Sequence, residues 1–233
     1  MRNAIKMLIR ITILVVLGLV ITKLHIDHTN QTALDLARKT TIQSNIGKYV
    51  VAPHVVKIIV KEDGMALGSG TGFYIQYLDK TRIVTNKHIC DQSEGPRQMF
   101  IGSKRYRILA ISKTQDLCIL QSDRDLGLKL ATSDVLPTDA VILVGHPRGL
   151  ALTIREGHVM EEGSDIFDWI SDKEVDYKMI SAISYPGNSG SPVTDSNGDV
   201  IGVLFAGSPQ FITEGLIVPY STLVKFLSDT YKL

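Results

Sequence analysis

The chain has 233 residues, a formal net charge of +1 and 44% hydrophobic residues, enough for one compact domain and a short appendage. No basic surplus points to nucleic acid, and no acidic surplus to a solvating tail. Two cysteines, Cys90 and Cys118, are too few for a disulfide scaffold; they form either one bridge or two small buried thiols.

Arg2, Lys6 and Arg10 lead into an apolar run, residues 11–21, broken only by Thr12 and Gly18 and closed by Lys23. The run is shorter than the roughly 20 residues of a full bilayer span. Snorkelling by Lys6 and Arg10 lets residues 7–24 cross. No small-x-small cleavage site follows, so residues 1–24 are expected to be an uncleaved membrane anchor, with a cleaved signal segment as the alternative. The basic flank would hold the N-terminus in the cytoplasm. A single-pass protein results, with its domain on the non-cytoplasmic side, or a secreted one after cleavage. Residues 25–48 are polar with scattered Leu34, Leu36, Ile42 and Ile46, and read as a stalk, helical over 34–39. His25 and His28 beside Asp27 lack a third ligand and read as solvated.

From Tyr49 the pattern changes to short β-rich runs separated by turn residues. Strands are expected at 55–60, 73–77, 82–85, 98–101, 106–111, 117–121, 140–144, 152–159, 179–183, 191–193, 200–205 and 215–218. Asn197-Gly198 marks a hairpin. The glycine run at 68–72 lacks the lysine and following helix of a phosphate cradle, and is expected to be a tight hairpin leading into the second strand. Many short strands argue for an all-β barrel or sandwich. After Pro219, Ser221 can cap a closing helix over 221–231 with Leu223, Val224, Phe226 and Leu227 at helical spacing.

Gly187-Asn188-Ser189-Gly190 centres the chemistry. A serine hydroxyl attacks only when a base removes its proton. Glycines on both sides allow a tight turn in which the hydroxyl projects and the N–H groups of Gly187 and Ser189 converge on an oxyanion. Taken alone, the tetrapeptide is equally good turn chemistry. His88 at the end of one apolar strand and Asp116 at the mouth of another supply the base and the carboxylate that orients it.

The stretches 68–73, 84–88, 116–120, 144–150 and 186–192 together resemble the trypsin-like serine proteases, in particular their bacterial HtrA/Deg branch. The resemblance covers residue 50 onward. It implies an all-β, chymotrypsin-like fold of two six-stranded antiparallel barrels, which the C-terminal helix read above closes and the N-terminal membrane helix read above precedes. The domain would run over 49–233, with barrels at about 49–128 and 129–218. The resemblance further implies a serine endopeptidase with His88, Asp116 and Ser189 as its triad and the Gly187 and Ser189 amides as its oxyanion hole. No metal or organic cofactor is expected; the partner is a protein or peptide substrate. Oligomeric state stays open.

Several departures carry consequences. The sequence stops after the closing helix, so no PDZ domain, and no regulation through one, is expected. Asn188 replaces the aspartate through which animal members are activated by a new N-terminus. Pro186 stiffens the approach to the oxyanion loop. By resemblance Ile183, Phe205, Ala206, Gly207 and residues near Gly215 wall the substrate pocket. Ile183 stands where trypsin has a carboxylate, so a small or medium apolar side chain should fit. Residues 205–207 should pair with substrate as an added strand. Residues 161–176 hold seven acidic residues around Ile166, Phe167, Trp169 and Ile170, and form either a regulatory loop or a solvated one. His54, His146 and His158 read as satisfied or surface residues. Cys90 and Cys118 each lie two residues beyond His88 and Asp116, which places them near each other behind the site, where a bridge could form. A non-catalytic peptide-binding module keeping the fold and groove is the alternative, since a fold does not guarantee activity.

Overall fold

Two compact units divide the chain, Met1–Ile42 and Gln43–Leu233. The computed structural model describes residues 2–91, 96–163, 176–207 and 213–231, and the side chains of 2–16 and 161–163 lie outside that description. The first unit is helical, as part of α1 (Arg2–Ile46). Beyond the membrane helix expected within 1–24, helix was expected only at 34–39. It extends because no glycine or proline interrupts residues 19–46. Among the described residues no helix is long and apolar enough to cross a membrane. The expected anchor at 1–24 falls largely on residues whose side chains are outside the description.

The second unit begins at Gln43, ahead of the expected start at 49. Its first half carries β1 (Val55–Glu62), β2 (Met65–Tyr77), β3 (Lys80–Thr85), the one-turn α2 (Lys87–Cys90), β4 (Gln98–Ile101), β5 (Lys104–Tyr106), β6 (Ile108–Ile111) and β7 (Cys118–Gln121). The second half carries β8 (Ala140–Gly145), β9 (Thr153–Gly163), β10 (Tyr177–Ile180), β11 (Pro192–Thr194), β12 (Val200–Gly207), β13 (Gly215–Pro219) and α3 (Tyr220–Tyr231). The later strands close into a six-stranded barrel, β10-β13-β12-β11-β8-β9.

The first half departs from the expected six-stranded barrel. It is a seven-stranded sheet in the order β5-β4-β1-β2-β3-β7-β6. The single strand expected at 106–111 is split at Arg107, so its halves serve opposite edges of the sheet. A strand that turns such a corner must bend, and the ladder shifts register between Ile108 and Ala110. The glycine run is also not a hairpin. It lies inside β2, and the turn is Asp63-Gly64, with φ 48° and 83°. Both central residues are left-handed, as a two-residue hairpin requires.

Side chains close what the ladder leaves open. Asp123, just past β7, accepts hydrogen bonds from the Tyr106 hydroxyl at 2.7 Å, Lys104 Nζ at 3.0 Å and the Tyr74 hydroxyl at 2.9 Å. Burial alone would raise its pKa; the bonds from Tyr106, Lys104 and Tyr74 outweigh it and hold the carboxyl at about 2. A carboxylate depressed in the native state stabilises fully above its unfolded pKa and loses that effect as pH falls through the native one. Urea unfolding should therefore show stability declining between about pH 4 and pH 2, more steeply in the parent than in Asp123→Asn. Equal slopes would show that the clasp carries no weight.

Strand alternation then explains the core. Tyr74, Ile83, Cys118 and Leu120 point into the first sheet, whereas Phe73, Ile75, Val84, Leu117 and Ile119 point to its other face. In the barrel, Val141, Leu143, Leu204 and Ile217 fill the interior. Ile142, Val144, Val203, Phe205 and Val218 meet the outward face of the first sheet, joined by Leu223 and Leu227 of α3. Strands buried on both faces read as continuous apolar runs, not as alternation.

Candidate active site

β3 pairs with β7, Thr85 opposite Cys118 and Val84 opposite Ile119. This register brings the segment after β3 against the segment before β7. Buried Asn86 ends the extended chain and donates from Nδ2 to the Asp116 carbonyl at 2.8 Å. The next turn presents His88. Asp116 is 1% exposed, and its two oxygens clamp His88. Oδ1 accepts the His88 backbone N–H at 2.9 Å, and Oδ2 lies 2.7 Å from Nδ1. A carboxylate only accepts, so Nδ1 carries the proton and Nε2 is left as a base. The Cys90–Cys118 bridge, which the sequence left open, joins α2 to β7 behind this pair with Cα atoms 6.4 Å apart.

Ser189 follows a tight turn over residues 185–188. The Asn188 N–H donates to the Tyr185 carbonyl at 3.0 Å, with Pro186 second and Gly187 third at φ +92°. These are the residue preferences of a type II turn. A Cβ on Gly187 would lie 2.7 Å from both the Arg148 nitrogen and the His146 carbonyl oxygen. The Pro186 carbonyl accepts the Arg148 N–H at 2.5 Å. In a trans peptide the N–H points opposite the carbonyl, so this bond turns the Gly187 N–H away from residue 148. Of the successive amides, Asn188 bonds Tyr185 and Gly190 bonds Leu204. The N–H groups of Gly187 and Ser189 have no partner among the described residues. Two free donors alternating with two bonded ones is the pattern an oxyanion hole needs.

Thr71 ties the two halves together. Its N–H donates to the Ser189 carbonyl at 2.8 Å, its hydroxyl donates to the Gly187 carbonyl at 2.8 Å and accepts the His146 N–H at 3.0 Å. Its own carbonyl accepts the Thr85 hydroxyl at 2.7 Å. A Cβ on Gly70 would lie 2.7 Å from Ile89 and 3.3 Å from the Ser189 carbonyl oxygen, so the nucleophile loop and α2 converge there. The Ser189 hydroxyl itself is turned to the Phe205 carbonyl, 3.4 Å away. Among the described residues it makes no hydrogen bond to the His88 ring.

Beyond Ser189, β12 and β13 pair Ala206 with Leu216 and Gly207 with Gly215. A Cβ on Gly207 would lie 3.8 Å from Ser184, so the segment carrying Ile183, itself 37% exposed, faces the end of β12. Phe205 differs from its expected place in the pocket wall: the residue is 2% exposed and packs in the core, and its carbonyl accepts the Ser189 hydroxyl. Residues 164–175 of the acidic segment lie outside the described residues. His146 and His158 are satisfied, by the Leu150 carbonyl at 3.0 Å and the Ser181 hydroxyl at 2.7 Å. Burial lowers the His146 pKa, against the Leu150 bond and with help from Lys57. Among the described residues no cluster of His, Cys, Asp or Glu could hold a metal ion. Sequence reading assigned no role to Thr71, Asn86 or Arg148. All three lay in matched stretches, but nothing local signals which backbone atoms they bind.

A family model described as a trypsin-like peptidase domain matches residues 70–203, which contain His88, Asp116 and Ser189. The serine protease HTRA1A of Danio rerio is 26% identical over 198 residues, covering 78% of this chain and 40% of its own. A probable periplasmic serine endoprotease, DegP-like, of Chlamydia trachomatis is 30% identical over 168 residues, covering 69% and 33%. The chain thus spans well under half the length of these relatives. Among solved structures, the active form of the Rv3671c protease from M. tuberculosis superposes with a TM-score of 0.66 at 25% identity, covering 79% of this chain and 84% of that one. The HtrA-type protease AlgW, with a tripeptide, gives 0.65 at 21% identity, covering 80% and 62%, a likeness of fold alone.

Proposed function

The chain belongs to the trypsin-like peptidase family, and from that premise we propose that it is a serine endopeptidase. Ser189 attacks the scissile carbonyl. His88 Nε2 accepts the hydroxyl proton and returns it to the leaving amine. Asp116 fixes the ring and stabilises its charged form. The Gly187 and Ser189 amides bind the oxyanion as it forms. No step calls on a metal or organic cofactor. The observation that carries this reading is the two-point clamp of Asp116 on His88, on a helix that converges at Gly70 with a loop bearing two free amides.

The substrate strand lies along residues 205–207, with its P1 side chain toward Ile183. Ile183, standing where trypsin has a carboxylate, brings no charge, so small or medium apolar P1 residues are favoured. Residues 1–24 tether the chain to a membrane, or are removed as a signal; residues 25–42 form the stalk, and the domain works on the non-cytoplasmic side. The Cys90–Cys118 bridge supports that placement, because such bonds persist in oxidising compartments.

One observation favours a second reading, a peptide-binding module without catalysis: the Ser189 hydroxyl faces Phe205. Catalytic hydrogen bonds often tighten only with substrate bound. A fluorophosphonate probe separates the two. Labelling of the parent protein and none of Ser189→Ala is expected; folded parent protein that stays unlabelled would favour the module.

A further inference from the structure

Ser189 sits between two walls. One is β12, held through the Gly190 N–H to Leu204 carbonyl bond at 2.8 Å. The other is made of β2, held through Thr71, and the turn Pro147–Gly149, held through the Arg148 N–H. If the acyl half of an extended substrate lies along β12, its amine half must leave across the second wall.

That wall carries two cations. Lys57 lies opposite Thr71 in the β1–β2 ladder, and its Nζ donates to the Gly149 carbonyl at 3.0 Å. Gly149 in turn abuts β2, since a Cβ there would lie 2.5 Å from Ser69 Oγ. Arg148 is held at φ 56°, in the left-handed region that residues other than glycine rarely occupy. Its guanidinium lies 5.0 Å over the ring of Tyr185, the first residue of the oxyanion turn. Neither cation forms an ion pair among the described residues. His146 in the same turn is biased towards its neutral form by burial. The wall is therefore positive, unpaired among the described residues, and reaches the oxyanion turn at Tyr185.

We propose that Arg148 and Lys57 select substrates with an acidic residue in the first or second position after the scissile bond. This rests on the assignment of Ser189 as nucleophile. A carboxylate there would complete two charge-assisted contacts, while a lysine would meet two like charges. Partly exposed pairs are individually weak and screened by salt, so the combined preference should be about five- to tenfold.

The test uses internally quenched peptides, identical except for Ala, Asp or Lys at those two positions. Expected kcat/KM values fall in the order Asp, Ala, Lys. The Asp-to-Ala ratio should drop towards one in Arg148→Gln combined with Lys57→Gln, and in about 0.5 M salt. It should survive in Arg148→Lys, which keeps the charge. The Ala peptide reads any damage to the turn separately. An Asp-to-Ala ratio of one in the parent, with the Ala peptide cleaved, overturns the proposal and leaves the protease reading standing. A ratio unchanged in the double variant overturns it too. Failure to cleave any peptide, with no fluorophosphonate labelling, overturns both.

Discussion

Asp116→Asn is expected to lower turnover about ten-thousandfold while the protein keeps its fold. The loss follows from the geometry of the clamp. Asp116 offers one oxygen to the His88 backbone N–H and the other to Nδ1, and both partners need an acceptor. An asparagine has a single oxygen. If that oxygen takes the backbone N–H, the amide NH2 faces Nδ1 and forces the proton onto Nε2, the wrong tautomer for a base. If it takes Nδ1, two donors confront each other in a buried place, since Asp116 is 1% exposed. The check is kcat on a cleaved peptide together with a thermal melt. A near-normal rate in folded protein would show that another group holds the ring.

Gly190→Ala should be nearly as damaging, for a steric reason. Gly190 has φ +86°, and a Cβ there would lie 2.0 Å from the Thr71 carbonyl oxygen and 2.4 Å from Thr85 Oγ1. Neither neighbour can retreat easily: the Thr71 carbonyl belongs to β2, and its bond to Thr85 would break. The chain must move instead, pulling the Gly190 N–H off the Leu204 carbonyl and swinging the adjacent Ser189 amide out of line. Loss of one oxyanion donor costs roughly a hundred- to a thousandfold in rate. Overpacking of this kind costs about 1–3 kcal/mol of stability. Peptide cleavage and urea unfolding should register both effects. An unchanged rate of fluorophosphonate labelling would mean that the loop absorbs the methyl group.

What could be read from the chain was whatever depends on local pattern. Apolar runs marked nearly every strand, and the spacing of Leu223, Val224, Phe226 and Leu227 marked α3. His88 and Asp116 were paired on paper because each ends or begins an apolar strand, and the β3–β7 register joins them. Features that depend on three-dimensional closure were not legible. The split at Arg107 answers to the curvature of the sheet, which no six-residue window encodes. Gly70 and Gly72 looked like a turn because glycine serves turns. Inside β2 they are small because Ile89, Ile58 and the Val84 carbonyl lie where a Cβ would project. Thr71 read as part of that turn, although four hydrogen bonds from both halves of the domain meet on it. The rotation of the Ser189 hydroxyl towards Phe205 is a rotamer choice, invisible to any pattern of residues.

The link between Cys90 and Cys118 makes a covalent loop of the chain between them, 28 positions apart. Inside that loop run β4, β5, β6 and Asp116 itself; His88 stands two residues outside it, on the helix to which it is fastened. Sheet margins are where proteins fray first. Here β5 and β6 can come loose without carrying the carboxylate off, because its strand remains bolted to the turn that bears the imidazole. The acid–base couple is thereby insulated from breathing of the very margins that surround it.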